Sequence, residues 1–295
     1  MRTFEYHRAI SIEDACSILS RYGSDARILA GGQSLLNMMK WRLAAPNALI
    51  DVSRIAALKG IQESNGKVRI GSMVTYNDLQ KFAPIKSIAI IQDALEVIAD
   101  LQVRNLGTLG GSCCQADPFG DMPNVMIALD ATMEATSTQG SREIRAREFF
   151  RGPLETSLQT DEVLTSILID GEVLRQGSAY EKFSWRKGDY AIVSVASIIG
   201  LEADGRCTTS RIVVGGLGVG PVELLGAANA LLGHMATEDL VKEAAQAAAA
   251  ECQPESDRVY GSAEYKKLLI ETIADRSLER SLRRARDIVA GDSNE

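Results

Sequence analysis

Two short glycine-rich stretches carry the residue types best suited to chemistry in this sequence. "AGGQSL" (residues 30–35) holds Gly31, Gly32 and Ser34, and "GTLGGS" (residues 107–112) holds Thr108, Gly110, Gly111 and Ser112. Glycine has no Cβ, so neighbouring backbone N–H groups can come close to phosphate oxygens, and Ser and Thr hydroxyls add donors. Either stretch alone also reads as an ordinary tight turn. Together they could hold the two phosphates of a dinucleotide from opposite sides. Asp121 follows the second stretch, and its carboxylate can accept from a ribose hydroxyl or a ring N–H.

Other chemistries are poorly supplied. The phosphate loop of nucleoside triphosphatases, G-x-x-x-x-G-K-[ST], is missing, and "GGLGVGP" (residues 215–221) ends in Pro221 where a Rossmann fingerprint needs glycine. The five cysteines, Cys16, Cys113, Cys114, Cys207 and Cys252, form no C-x-x-C pair. That pattern fits no disulfide framework, zinc site or iron–sulfur cluster. Adjacent Cys113 and Cys114 read as small buried hydrophobes. His7 and His234 are the only histidines, too few for a His-rich metal site, and each reads as structural. No metal ligand set is expected.

The elements that must position these residues follow from periodicity and caps. "SIED" at Ser11 is a capping pattern for a helix that Gly23 closes. "ARILA" reads as a short buried strand leading into the first glycine stretch. "SLLNMMKWRL" has helical spacing up to the stop at Pro46. "ALIDV", "KVRIGSM", "MEATST" and "EVLTSILI" read as strands, and "TYNDLQKF" (capped by Thr75) and "SIAIIQDALEVIAD" as helices. From residue 176 the pattern changes. "AYEKFSW", "AIVSVASIIGLEA" and "CTTSRIVVGGLG" read as a three-stranded antiparallel meander, followed by helical segments from "VELLGAANALLG" onward. The tail "GDSNE" is expected to fray.

A chain of 295 residues with 45% hydrophobic composition can bury a large core and suggests about two domains. The net charge of −7 argues against general nucleic-acid binding. The basic run Arg276, Arg280, Arg283, Arg284, Arg286, diluted by Glu279 and Asp287, reads as a solvated helix face. With no secretory signal and no apolar stretch of membrane-spanning length, a cytoplasmic protein without a transmembrane segment is expected.

Taken in order, "AGGQSL", "RNLGTLGGS", "ADPFGDMPNVMIALDA", "DEVLTSI" and "KGDYAIVSVA" resemble, over essentially the whole chain, the FAD-binding medium subunit of the molybdenum hydroxylases. That is the group of xanthine dehydrogenase and bacterial carbon monoxide dehydrogenase. The resemblance implies an α+β fold. A PCMH-type, two-part FAD-binding domain would span 1–175, with subdomains of about 1–57 and 58–175. A C-terminal domain of a three-stranded antiparallel sheet and a helix bundle would span 176–290.

It also implies site residues. Leu29, Ala30, Gly31, Gly32, Gln33, Ser34 and Leu35 would hold the FAD pyrophosphate, and Thr108, Gly111, Ser112, Gln115 and Asp121 would follow from the second stretch. Ile98 would pack near the flavin, Leu164 would make a backbone contact, Lys182 would reach the cofactor, and Tyr190 would lie near the isoalloxazine ring. Each has a plainer reading. Asp121 could cap a helix, Lys182 could be a surface charge, Tyr190, Ile98 and Leu164 could be core, and Gln115 could be a loop residue. Gln33 stands where some related flavoproteins carry a His that tethers FAD, so non-covalent FAD is expected; Gln115 stands where many members have His. Gly32→Val is expected to strip FAD and leave the fold intact.

By the same resemblance no residue here is catalytic in substrate hydroxylation. A large partner subunit with a Mo cofactor would hydroxylate the substrate, and a small partner with 2Fe–2S clusters would pass electrons to this FAD. The FAD would then serve an external acceptor within a dimer of heterotrimers. An N-heteroaromatic substrate is preferred on resemblance alone. The competing readings are a stand-alone flavin reductase of the same superfamily and a non-enzymatic subunit that has lost FAD.

Overall fold

The computed structural model of the chain describes residues 1–292 apart from Asn65 and Ser87. Two sequence readings touch positions outside the described residues: the helix over 87–100 begins on Ser87, and the tail ends in 293–295. The chain forms two compact units, each interleaved in sequence. One gathers Met1–Phe82, Asp100–Ala116 and Ala131–Ile169; the other gathers Ala83–Ala99, Asp117–Asp130 and Asp170–Glu295.

The first unit opens with a three-stranded parallel sheet, β1 (Glu5–Arg8), β2 (Ala26–Leu29) and β3 (Ala48–Asp51), in the order β1-β3-β2. Central β3, "ALID", is buried along its whole length, as a parallel strand covered on both faces must be. Helix α1 (Ile12–Tyr22) lays Ala15, Cys16, Ile18 and Leu19 on this sheet. It starts where Ser11 accepts from the Asp14 N–H at 3.1 Å, while Asp14 reaches one residue further back, to the Ile10 N–H at 3.0 Å. It stops at Gly23, whose φ is 54°. Helix α2 (Leu35–Lys40) follows the first glycine stretch and ends well before Pro46. Arg42 turns left-handed at φ 63°, and the Leu43 N–H closes back on the Met38 carbonyl at 2.8 Å. That six-to-one bond stops the helix without proline.

A five-stranded sheet completes this unit. Its strands are β4 (Ile61–Ser64), β5 (Lys67–Gly71), β6 (Thr132–Ser137), β7 (Gly140–Arg145) and β10 (Val163–Asp170), in the order β4-β5-β10-β6-β7. A small hairpin of β8 (Phe150–Gly152) and β9 (Glu155–Thr156) stands apart. Helices α3 (Tyr76–Lys81, capped by Thr75), α6 (Leu101–Leu106), α7 (Leu109–Gln115) and α9 (Ala146–Phe149) also belong here.

The second unit is built on the expected meander: β11 (Gly177–Phe183), β12 (Val193–Leu201) and β13 (Cys207–Gly215), each antiparallel to the next. A two-residue fourth strand, β14 (Val222–Glu223), joins the edge of β13. It takes the start of the segment "VELLGAANALLG", which the sequence assigns to helix. Helix α10 (Leu225–Asn229) begins only after Leu224, whose N–H donates to the Ile212 carbonyl at 2.8 Å.

β12 is buried almost throughout because helices cover both its faces. Ser194 and Ser197 are three apart and so point to opposite faces. Ser194 accepts from Asn124 of α8 (Asp121–Ala128) at 2.8 Å, and Ser197 lies 2.7 Å from both Ser277 and Ser281 of α12 (Ala263–Asp292). Gly177 lets α12 come close, since a Cβ there would sit 2.0 Å from the Ser281 carbonyl oxygen. Helices α4 (Ala83–Lys86), α5 (Ala89–Val97) and α11 (Glu238–Glu251) complete the unit.

The basic run on α12 is not wholly a solvated face. Arg284 grips Asp93 at 2.6 and 2.9 Å, and Arg280 reaches Asp93 and Glu181 at 2.8 Å each. Asp93 is buried midway along α5 and needs partners, so two of the five arginines turn inward. No described helix is long and apolar enough to cross a membrane.

Candidate functional site

In the first unit, β2 ends at Leu29 and the chain leaves the sheet through Ala30. Gly31 is required by a neighbour: a Cβ there would stand 1.9 Å from the carbonyl oxygen of Leu106, at the end of α6. Gly32 is required by its own backbone, with φ at 71°. A Cβ at Gly32 would also press on Leu36 Cδ1 at 2.9 Å. Gly32→Val therefore puts a β-branched residue into a left-handed conformation, so it costs stability as well as cofactor approach.

Gln33 braces this turn by donating from Nε2 to the Gly31 carbonyl at 3.1 Å, while Asn37 donates to the Gln33 carbonyl at 2.8 Å. Ser34 precedes α2 but its hydroxyl makes no capping bond. Among the described residues, the backbone N–H groups of 31–35 find no protein acceptor. A run of unpaired donors around a left-handed glycine is a concave anion cradle.

The second glycine stretch is a helix start rather than an open loop. Thr108 is buried and caps α7, accepting from the Gly111 N–H at 3.0 Å. Gly110 serves packing: its N–H donates to the Ser72 carbonyl at 3.0 Å, and a Cβ would lie 2.5 Å from Ser72 Cβ. Gly111 looks the other way. Past the Thr108 hydroxyl, the next atom a Cβ there would meet is Ala30 Cβ, at 3.7 Å. The two glycine stretches thus face one another.

Ser112 has no side-chain partner among the described residues. Gln115 places Nε2 3.4 Å from Met38 Sδ and so ties α7 to α2. Leu164 is buried in β10 beside a bulge, and the next residue, Thr165, accepts the Ser72 N–H at 3.0 Å. Cys113 points into the core, but Cys114, a helical step of about 100° away, is exposed. Only the first is a buried hydrophobe.

The second unit gathers the other four expected residues. Asp121 is the first residue of α8 and is 5% exposed; Lys182 Nζ lies 3.0 Å from its Oδ1. The same ammonium donates to the carbonyls of Val97 at 2.9 Å and Asp189 at 3.1 Å. Its three protons are thus matched by three protein acceptors. Any further acceptor has to share one of those protons or displace one of those oxygens. Val97 precedes Ile98 and Asp189 precedes Tyr190, and Ile98 bridges to Gly188. Lys182 therefore joins the carboxylate of Asp121 to the backbone just before Ile98 and just before Tyr190.

Burial pushes the Asp121 carboxyl up, offset in part by Lys182 and Tyr180. Tyr190 is half exposed. Desolvation of its hydroxyl, reinforced by the Asp117 carboxylate, pushes its phenol to about 12.

Sequence reasoning missed Tyr180, whose O–H donates to Asp121 Oδ1 at 2.5 Å. Its signal was present: Tyr180 precedes Lys182 by two on one strand, so both share a face. Ser72 and Leu106, which set the glycine positions, carry no signal in the sequence. Among the described residues no cluster of His, Cys, Asp and Glu could hold a metal ion.

The geometry fits a dinucleotide: an unpaired N–H run and two unpartnered hydroxyls, Ser34 and Ser112, lie on stretches that meet at Ala30 and Gly111. Comparison with known proteins agrees. Residues 2–169 match the family described as "FAD binding domain in molybdopterin dehydrogenase", and residues 178–281 match "CO dehydrogenase flavoprotein C-terminal domain". The chain is 35% identical to 6-hydroxypseudooxynicotine dehydrogenase complex subunit alpha of Paenarthrobacter nicotinovorans, covering 96% of each. It is 37% identical to the carbon monoxide dehydrogenase medium chain of Afipia carboxidovorans, covering 97% of this chain and 99% of that one. Among solved structures, carbon monoxide dehydrogenase from Hydrogenophaga pseudoflava superposes with a TM-score of 0.92 at 37% identity, over 96% of this chain and 98% of that one. The chain belongs to the FAD-binding medium subunits of the molybdenum hydroxylases, and it is an oxidoreductase subunit of that family.

Proposed function

We propose that this chain carries FAD non-covalently and relays electrons from a small 2Fe–2S subunit to an external acceptor. A large partner subunit would hydroxylate the substrate at its Mo cofactor. FAD, when bound, supplies one- and two-electron redox chemistry. The chain's own residues bind it and orient it. The N–H groups of 31–35 and the hydroxyls of Ser34 and Ser112 take the pyrophosphate oxygens, with Leu29, Ala30, Thr108, Gly111 and Gln115 shaping that cradle. Asp121 and Lys182 offer an acceptor and a cation, Ile98 and Leu164 offer apolar or backbone contact, and Tyr190 offers an exposed ring.

The observation that carries this reading is the unpaired N–H run of residues 31–35, on the stretch that Gly111 faces. The assembly would be a dimer of heterotrimers in the cytoplasm. The relatives named above act on 6-hydroxypseudooxynicotine or on carbon monoxide; for this chain we favour an N-heteroaromatic substrate.

Purification from the native host tests each part. Flavin absorbance near roughly 450 nm with two co-purifying subunits is the expected result. A native preparation without flavin overturns the cofactor reading. A lone chain that reduces its own substrate with NADPH overturns the subunit reading. Turnover of the purified complex with N-heteroaromatics against carbon monoxide decides the substrate class.

A further inference from the structure

Tyr180 is 2% exposed, and a buried phenol must place its proton on a partner. Asn124 Nδ2 donates to Ser194 Oγ at 2.8 Å, and both neutral side chains lie beside the Tyr180 phenol. The phenol's one proton goes to the carboxylate oxygen Asp121 Oδ1, at 2.5 Å. The ring has little freedom to leave. Its own backbone N–H is tied to Asp93 Oδ2 at 3.1 Å, and Asp93 is held by Arg280 and Arg284. Tyr180 and Lys182 thus both engage the Asp121 carboxylate.

We propose that Tyr180 is a positioning residue for the cofactor. Its O–H fixes the Asp121 carboxylate against Lys182 and keeps it ionised for contact with FAD. This rests on Asp121 being a cofactor contact. The titratable and charged groups that act on Asp121 are Tyr180 and Lys182 of β11, Asp117 of the preceding segment, and Tyr190 of the connection after β11. Lys182 and the Tyr180 O–H favour the carboxylate, whereas Asp117 and burial oppose it. Removing the phenol proton donor tips this balance toward the neutral acid.

The test is the dissociation constant of FAD for the full chain, measured by flavin fluorescence from pH 5 to 9. Tyr180→Phe is expected to bind like wild type at the alkaline end and to weaken by about tenfold as pH falls, with a midpoint above that of wild type. Tyr180→3-fluorotyrosine, nearly the same size and a stronger donor, is expected to move the midpoint below wild type. This second variant keeps the test available where phenylalanine disturbs folding. Asp121→Asn is expected to bind weakly with no such midpoint. If the midpoints of both Tyr180 variants match wild type, or Tyr180→Phe weakens equally at all pH, the positioning role is overturned. If Asp121→Asn binds FAD as wild type does, the cofactor contact itself is overturned.

Discussion

The carbonyl oxygen of Leu106 occupies the place where a side chain on Gly31 would begin, 1.9 Å from an ideal Cβ. One of the paired glycines in the first stretch thus answers to the protein's own backbone. Leu106 lies just before the second stretch, so Gly31 is how the two stretches meet.

Gly31→Ala is therefore expected to unfold the first unit more readily by about 2–3 kcal/mol, the range of an overpacked core, and to lose FAD with it. Gly111→Ala meets only its own cap oxygen, at 2.7 Å, and Ala30. Its expected cost is nearer about 1 kcal/mol, that of a weakened N-cap. Thermal unfolding with and without FAD checks both. Equal destabilisation by the two substitutions would refute the distinction.

Lys182→Met leaves the Asp121 carboxylate buried beside Tyr180 alone, for an expected loss of about 3–5 kcal/mol near neutral pH. The sign with pH is set by the carboxyl, which this change pushes further up. Stability tied to the protonated form is present at low pH and lost as pH rises through the folded value. The variant should therefore recover toward wild type in acid. Adding Asp121→Asn should restore part of the loss at neutral pH. Urea unfolding at two pH values, run as a double-mutant cycle, reads both effects.

Glu134 gives the opposite sign. Burial raises its carboxyl, but Ser166 at 2.6 Å and Arg69 at 2.5 Å more than offset that, and the net shift is downward. Stability from this group is present above the ordinary carboxylate range and lost as pH falls through its lowered folded value. Glu134→Gln is expected to cost about 1 kcal/mol at pH 7 and to flatten the acid limb of the stability profile. An unchanged acid limb would count against it.

Asp93→Ala is expected to cost about 3–5 kcal/mol, because Arg280 and Arg284 would lose the carboxylate they both grip. Arg284→Lys, which cannot reproduce the two-pronged contact, should cost less than Arg284→Ala. Chemical denaturation of the three variants ranks them.

Much of this was legible because local chemistry and fold agree. The Ser11 cap, Gly23 and the three consecutive strand runs of the meander are local signals, and the elements form where they point. The end of α2 was not legible, because Arg42 stops it through a left-handed turn that no proline or glycine announces. The second glycine stretch looked like a loop because Gly110 and Gly111 are poor helix formers. Thr108 and packing on Ser72 outweigh that preference. Lys182 and Asp121 stood out as charges, whereas Tyr180, which completes their contact, looked like any strand tyrosine. Its role depends on a partner 59 positions away.

Neither unit is a continuous piece of the chain. Synthesis runs from the N-terminus, yet β5 waits for β10 as its neighbour, while residues 83–99 and 117–130 wait for the strands beyond residue 176. Nascent chains thus carry exposed apolar segments, such as α5 with Ile90 and Ile91, until β11 has emerged. A polypeptide cut after residue 169 would not be a tidy flavin domain. It would be one unit trailing two orphaned pieces of another, and therefore a target for chaperones, aggregation and proteolysis.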